Sequence, residues 1–276
     1  MDYIISDLEP FGVLITSKYQ DLNPRVLDFR ILRNLFDDNH LIVLRGFSSF
    51  EDADDFASYC EIWGDISLWP FGRVLELIEH PQPQDHIFDN SYVPLHWDGM
   101  YRPQVPEFQI FNCVKAPLPG QGGRTTFSNT VSALENASHK LKELWCRVIG
   151  IYQRKMEFYN SRTISPIIVK HPYKNFSVIR YNEPHSEKID DFVNAPNINF
   201  LGITKASKFC QGLDQELYSA QNFYAHEWKD GDVVIADNFS LLHGREEFDS
   251  RSSRHIQRVH VLSNPPCDNL YLESYR

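Results

Sequence analysis

The sequence predicts a mainly β fold with peripheral helices, a double-stranded β-helix or jelly roll. Three observations carry this expectation. Short apolar runs of strand length are repeatedly broken by Pro and Gly, most densely between residues 66 and 130. Nowhere do strands alternate with helical patterns as a doubly wound parallel sheet requires. The few helical stretches lie between groups of strands, where helices can flank a double sheet.

In chain order, residues 41–47 (LIVLRGF) form an apolar run ending at Gly and Phe, a buried strand. Phe56, Tyr59 and Trp63 recur at helical spacing and predict an amphipathic helix over 51–63. Residues 92–98, 107–115 and 124–128 read as strands, and PLPGQGG (117–123) as a turn. A helix is expected over 130–147 with Val131, Leu134, Leu141, Leu144 and Trp145 facing inward. Strands follow at 148–156 and 176–182, then a helix over 213–226. GDVVIADN supplies a turn, a buried strand and a turn, and RHIQRVHVL (254–262) is the last strand. Residues 72–92 and 157–172 are expected to be loops and are the candidates for a lid, whose identity is not legible in the sequence. No linker or shift of composition divides the chain, so residues 1–276 are expected to form one domain.

The net charge of −10 and the lack of a Lys/Arg run argue against a nucleic-acid partner. No apolar run reaches the ~18 residues of a membrane span. The segment MDYIISDLEP carries acids where a secretory signal carries a basic stretch. A cytoplasmic protein with no membrane partner is therefore expected. The 5 cysteines are widely spaced and include no CxxC pair, which predicts buried free thiols rather than a disulfide framework or a zinc cluster. The oligomeric state is not legible, and a homodimer stays open.

In Leu95-His96-Trp97-Asp98-Gly99, His96 and Asp98 are two apart, so on a strand both point to one face and can converge on one ion. Gly99 lets the chain turn away from them. Such pairs arise readily by chance: His185-Ser186-Glu187 is another, in what reads as a solvated loop. His243, beside Gly244 and after the buried run Val233–Ala236, is the candidate third ligand. Two imidazoles and a carboxylate on one face form the facial triad suited to non-haem iron(II).

Eleven residues past His243 stands Arg254. Arg254, Ile256 and Arg258 alternate with His255 and Gln257, so both arginines face one side of a strand. An unpaired buried charge is costly, so the pair calls for anionic partners.

With His96-x-Asp98, the turn Gly122-Gly123-Arg124-Thr125, His243 and Arg254 in this order, residues 40–262 resemble the taurine dioxygenase/2,4-D dioxygenase superfamily of iron(II)/2-oxoglutarate enzymes. The resemblance implies iron(II) on His96, Asp98 and His243, which are also the catalytic residues, with 2-oxoglutarate and O2 as co-substrates. It implies that Arg254 binds the distal carboxylate of 2-oxoglutarate, aided by the Thr125 hydroxyl, with Thr126 as the fallback. Arg258 matches a position that in several relatives binds an acidic group of the substrate; a salt bridge to a nearby acid is the alternative.

The stretches LHWDGMYRPQVPEFQIFNCVKAP and GQGGRTTFSNT are similar to the PvcB-type isonitrile oxygenases. That branch implies a small acidic substrate, the isonitrile derivative of an aromatic amino acid such as tyrosine, whose side chain is desaturated, in some members with decarboxylation. Arg258 would then meet the carboxylate, while Trp97, Met100, Tyr101 and Phe127 would line the pocket or simply pack in the core. A hydroxylase of another small carboxylate or sulfonate, and a non-catalytic metal- or ligand-binding jelly roll, are the other readings.

Overall fold

The computed structural model describes residues 2–185, 192 and 194–275. The chain opens with the hairpin β1 (Tyr3–Asp7) and β2 (Val13–Ser17). Helix α1 (Phe29–Asn39) follows, with the Asp28 side chain accepting from Arg30 N at 2.8 Å as its cap. Then come β3 (Leu41–Arg45), α2 (Ala53–Cys60), β4 (Leu75–Leu77), β5 (Val93–His96), β6 (Gln104–Val105), β7 (Phe108–Lys115) and β8 (Thr125–Asn129). Helices α3 (Thr130–Asn136) and α4 (His139–Trp145) precede β9 (Ile149–Met156), β10 (Tyr159–Pro166), β11 (Ile168–Lys170), β12 (Ser177–Ile179) and β13 (Asn197–Leu201). Helix α5 (Ala206–Leu217), β14 (Phe223–His226), β15 (Val233–Asp237), β16 (Leu241–Arg245), β17 (His255–Val261), β18 (Cys267–Asp268) and β19 (Leu272–Tyr275) complete the chain.

Two sheets make the jelly roll. The larger runs β1-β2-β3-β15-β7-β17-β4 and the smaller β14-β8-β16-β5. A flanking sheet, β13-β9-β10-β19, stands beside them. Pairing is antiparallel throughout the two-sheet body except between β2 and β3.

Strand β15 shows why the central strands read as continuous apolar runs. Val233 and Ile235 face outward onto a core with Phe36 and Tyr59, under α1 and α2. Val234 and Ala236 face inward, onto Phe111 of the large sheet and Phe127 of the small one. Both faces are covered, so alternation by polarity is lost and only alternation by destination remains.

Several expected elements changed. The stretch 130–147 is two helices, because Ala137 and Ser138 are extended and Ser138 Oγ accepts from Leu141 N to start α4 anew. Within it Trp145 is buried while Leu144 is exposed. The expected helix at 213–226 lies earlier, at Ala206–Leu217, where Phe209, Leu213 and Leu217 form its buried stripe. Residues Phe223–His226 instead add an edge strand to β8. The expected loop 157–172 holds β10 and β11. All 5 cysteines are free, but only Cys60 and Cys113 are buried. No helix among the described residues is long and apolar enough to cross a membrane.

Candidate active site

Strands β5 and β16 pair so that His96 stands opposite His243. Their rings come within 4.1 Å, centroid to centroid. Asp98 follows at the end of β5, and the chain turns at Gly99 with φ +95°. A Cβ there would lie 2.8 Å from Pro106 Cδ and 2.9 Å from Val105 Cα, so glycine is required on both counts. The donor atoms of His96, Asp98 and His243 all lie within 4.8 Å of one another. His96 Nδ1 donates to Pro94 O at 2.8 Å, which leaves Nε2 with its lone pair toward Asp98. Burial holds the pKa of both histidines down, and neutral imidazole is the form that ligates a metal.

The carboxylate of Asp98 is held by three donors. Gln109 Nε2, Arg258 Nη1 and His260 Nε2 each approach its Oδ2 at 2.8 Å. Burial alone would raise this carboxyl, but Arg258, His260 and His243 hold it well below the usual range. Asn238 braces the backbone: its Oδ1 accepts from Asp98 N at 2.8 Å, and its Nδ2 donates to the carbonyls of Asp98 and Pro106. Sequence reasoning missed Gln109, Asn238 and His260. The signal was there for two of them, since His260 continues the Arg254, Ile256, Arg258 alternation and Gln109 interrupts an apolar strand. Asn238 sits in a turn and carries no such mark.

Arg254 lies one residue before β17 and is 2% exposed. Its Nε donates to Gly123 O at 2.9 Å and its guanidinium stacks on Phe248. Among the described residues it has no acid partner. Burial, with the nearby Arg245 charge, pushes its pKa down to about 9. A buried cation without a carboxylate fits an anionic co-substrate. Gly123 makes room for this arrangement: a Cβ there would lie 2.9 Å from Arg254 Cδ. Thr125 faces the same interior as Phe127, and its Oγ1 accepts from Trp228 Nε1 at 3.1 Å, leaving its own proton to donate. Thr126 points the other way, and its buried hydroxyl has no partner among the described residues.

A cavity of about 1070 Å³ opens over His96 and Asp98. Trp97, Met100, Tyr101 and Arg258 line it, whereas Phe127 packs on Phe111 between the sheets and does not. Loop 72–92 and the tip of the β9–β10 hairpin supply further wall. His185 also lines it; Ser186 and Glu187 lie outside the described residues.

A jelly roll with a His-x-Asp…His cluster and a buried arginine eleven residues past the distal histidine defines the class of iron(II)- and 2-oxoglutarate-dependent oxygenases. The profile of the family described as taurine catabolism dioxygenase TauD, TfdA family matches residues 6–260, and the chain belongs to that family. The chain is 44% identical over 265 residues to a tyrosine isonitrile desaturase of Pseudomonas aeruginosa, covering 95% of this chain and 91% of that one. It is 46% identical over 264 residues to a tyrosine isonitrile desaturase of Erwinia amylovora, covering 95% and 90%. A solved structure of PvcB, described as an Fe, alpha-ketoglutarate dependent oxygenase from an isonitrile synthetic pathway, matches with a TM-score of 0.83 and 40% identity over 99% of this chain and 97% of that one.

Proposed function

We propose that this enzyme removes two hydrogens from the side chain of the isonitrile derivative of an aromatic amino acid, tyrosine foremost, with or without loss of the carboxylate. Its likeness to tyrosine isonitrile desaturases across nearly the whole of both chains carries the reading. In it, residues 1–276 act as one domain. His96, Asp98 and His243 hold iron(II), and Arg254 with Thr125 receives the distal carboxylate of 2-oxoglutarate. The metal with its co-substrates, 2-oxoglutarate and O2, supplies the oxidising chemistry.

The residues of the chain bind, orient and exclude water. Arg258 keeps Nη1 on Asp98 and offers the rest of its guanidinium to the substrate carboxylate, so one side chain holds both the metal ligand and the substrate. Met100 and Tyr101 form walls that exclude water from the reacting carbon. The same reading places the enzyme in the cytoplasm, where iron(II) and 2-oxoglutarate are supplied, with a small acid as its partner.

The test is succinate release by the iron-loaded enzyme, with aromatic isocyano acids, taurine and an aryloxyacetate offered in parallel. Release stimulated by the isocyano acids, with a product two mass units lighter or lacking carbon dioxide as well, is expected. Stimulation by the sulfonate or aryloxyacetate in their place would overturn the reading.

A further inference from the structure

One charged pair in the cavity has no part in holding metal or co-substrate. Asp85 and Arg154 both line it, and Arg154 Nη2 meets Asp85 Oδ2 at 2.6 Å. Asp85 is 3% exposed, and the Arg154 side chain is 13% exposed. Arg154 Nε donates to Asn194 O at 3.0 Å, while its Nη1 has no partner among the described residues. Burial opposes ionisation of Asp85, but His86 and Arg154 outweigh it and bring its pKa down to about 2. The pair is therefore an ionised acceptor beside a donor.

Its place is fixed relative to the metal. Asp85 starts a short 3-10 turn, His86–Phe88. Arg245, two residues past His243 on β16, donates to the carbonyls of Ile87, Asp89 and Ser91 at 2.9, 2.6 and 2.8 Å. The loop carrying Asp85 is thus tied to the strand carrying the distal histidine. Arg154 comes from the other side, on β9, and its guanidinium lies 6.0 Å from the centroid of the Tyr101 ring. Asp85 and Arg154 line the same cavity as His96, Asp98 and Arg258, so the pair shares one continuous space with the candidate metal ligands. The walls nearby are aromatic: Phe88, Tyr101, Phe158 and Tyr159.

We propose that the Asp85–Arg154 pair receives the ring hydroxyl of the substrate, which donates to the Asp85 carboxylate and accepts from Arg154 Nη1. This rests on the aromatic isocyano acid reading above and deepens it to a phenol. Arg258, beside the metal, takes the carboxylate end of the molecule. The reacting carbon lies between that carboxylate and the ring, so a second polar anchor belongs at the far end of an aromatic slot. A buried ion pair in such a slot is otherwise costly. A site built to hydrogen-bond a hydroxyl rejects the analogue lacking it, because its own polar groups then stay unpaired.

The experiment compares the isocyano acids derived from tyrosine, O-methyltyrosine and phenylalanine. Each is assayed for succinate release and for anaerobic equilibrium binding to the enzyme holding iron(II) and 2-oxoglutarate. The wild type is expected to favour the phenol over the phenyl acid at least about tenfold in both measurements, with the methyl ether weakened too. In Asp85→Asn the preference shrinks. In the double variant Asp85→Leu/Arg154→Met, which removes both charges and leaves neither one stranded, it falls to within about threefold of unity. The loss falls on KM and binding of the phenol.

A preference that survives the double variant would overturn the assignment, as would equal losses for phenol and phenyl acids. A variant that instead loses response to the substrate carboxylate, tested with the amide of the phenol acid, would assign Arg154 to the other end and overturn it too. Wild-type turnover of both acids at equal efficiency sinks this inference alone. Turnover of no isocyano acid sinks the underlying reading with it.

Discussion

His260 Nε2 lies 2.8 Å from Asp98 Oδ2, and on its other side His260 Nδ1 accepts from Trp69 Nε1 at 3.4 Å. The indole can only donate, so it sets the tautomer in which Nε2 carries the proton toward the carboxylate. With Gln109 and Arg258 on the same oxygen, Oδ1 is left for a metal. Replacing His260 with Ala should weaken iron(II) affinity about 10- to 100-fold, the range for partners that orient a ligand. His260→Gln, which can still donate an N–H, should recover part of the loss. Metal titration followed by the visible chelate band reads this directly; equal affinities for Ala, Gln and the parent would refute the role.

Arg254→Ala should abolish the anaerobic iron(II)–2-oxoglutarate chelate band at co-substrate levels that saturate the parent. Truncating one member of a buried charge pair costs about 2–5 kcal/mol. Arg254→Lys should restore little, since an ammonium cannot reproduce a two-pronged guanidinium contact. Undiminished 2-oxoglutarate binding in the Ala variant would remove Arg254 from the clamp.

Gly123→Ala should damage the same clamp without touching its charge. The new Cβ would sit 2.9 Å from Arg254 Cδ and 3.1 Å from Phe248 Cβ, at φ +78°. KM for 2-oxoglutarate should rise about 10- to 100-fold, the cost of a group displaced by about an ångström. Metal affinity should move far less. A variant whose KM for 2-oxoglutarate matches the parent would show that the arginine has room to yield.

Asp214 on α5 accepts from Tyr181 Oη at 3.1 Å, yet burial and the nearby Glu183 push its pKa up to about 7. An unfolded aspartate titrates near ~3.9, so between that value and about 7 the folded chain binds the extra proton. Stability therefore falls as pH rises through this window. Asp214→Asn should raise the melting temperature at pH 8 and lose that advantage near pH 4. Melting curves at the two pH values check it; the same shift at both would contradict the titration of Asp214.

The legible features were those carried by local periodicity. His96 and Asp98 stand two apart where β5 ends, close enough to reach one ion, and Arg254 and Arg258 are four positions apart across the start of β17. Helix ends were harder. Nothing in the apolar pattern of 130–147 marks Ser138 as a restart, and Phe223–His226 became a strand because β8 offered it an open edge. The walls are undecided in the sequence for a similar reason: Phe127 is as aromatic as Tyr101, but it points between two sheets, whereas Tyr101 borders the opening.

By itself, the sequence determined which groups could do the chemistry: two imidazoles, one carboxylate, and an arginine at a set offset on a strand whose alternation governs its direction. Tertiary structure alone decided what those groups touch. The β5–β16 register set His243 beside His96, and β7 and β17 brought Gln109, Arg258 and His260 onto one oxygen of Asp98. Arg258 and Arg254 look alike in sequence, yet the first meets Asp98 and the second meets no acid among the described residues. The physical reason is that pairing between strands is non-local. A side chain's direction follows from its neighbours along the chain, while its partners, and so its charge balance, follow from other strands, as far as 162 residues away for His260 and Asp98.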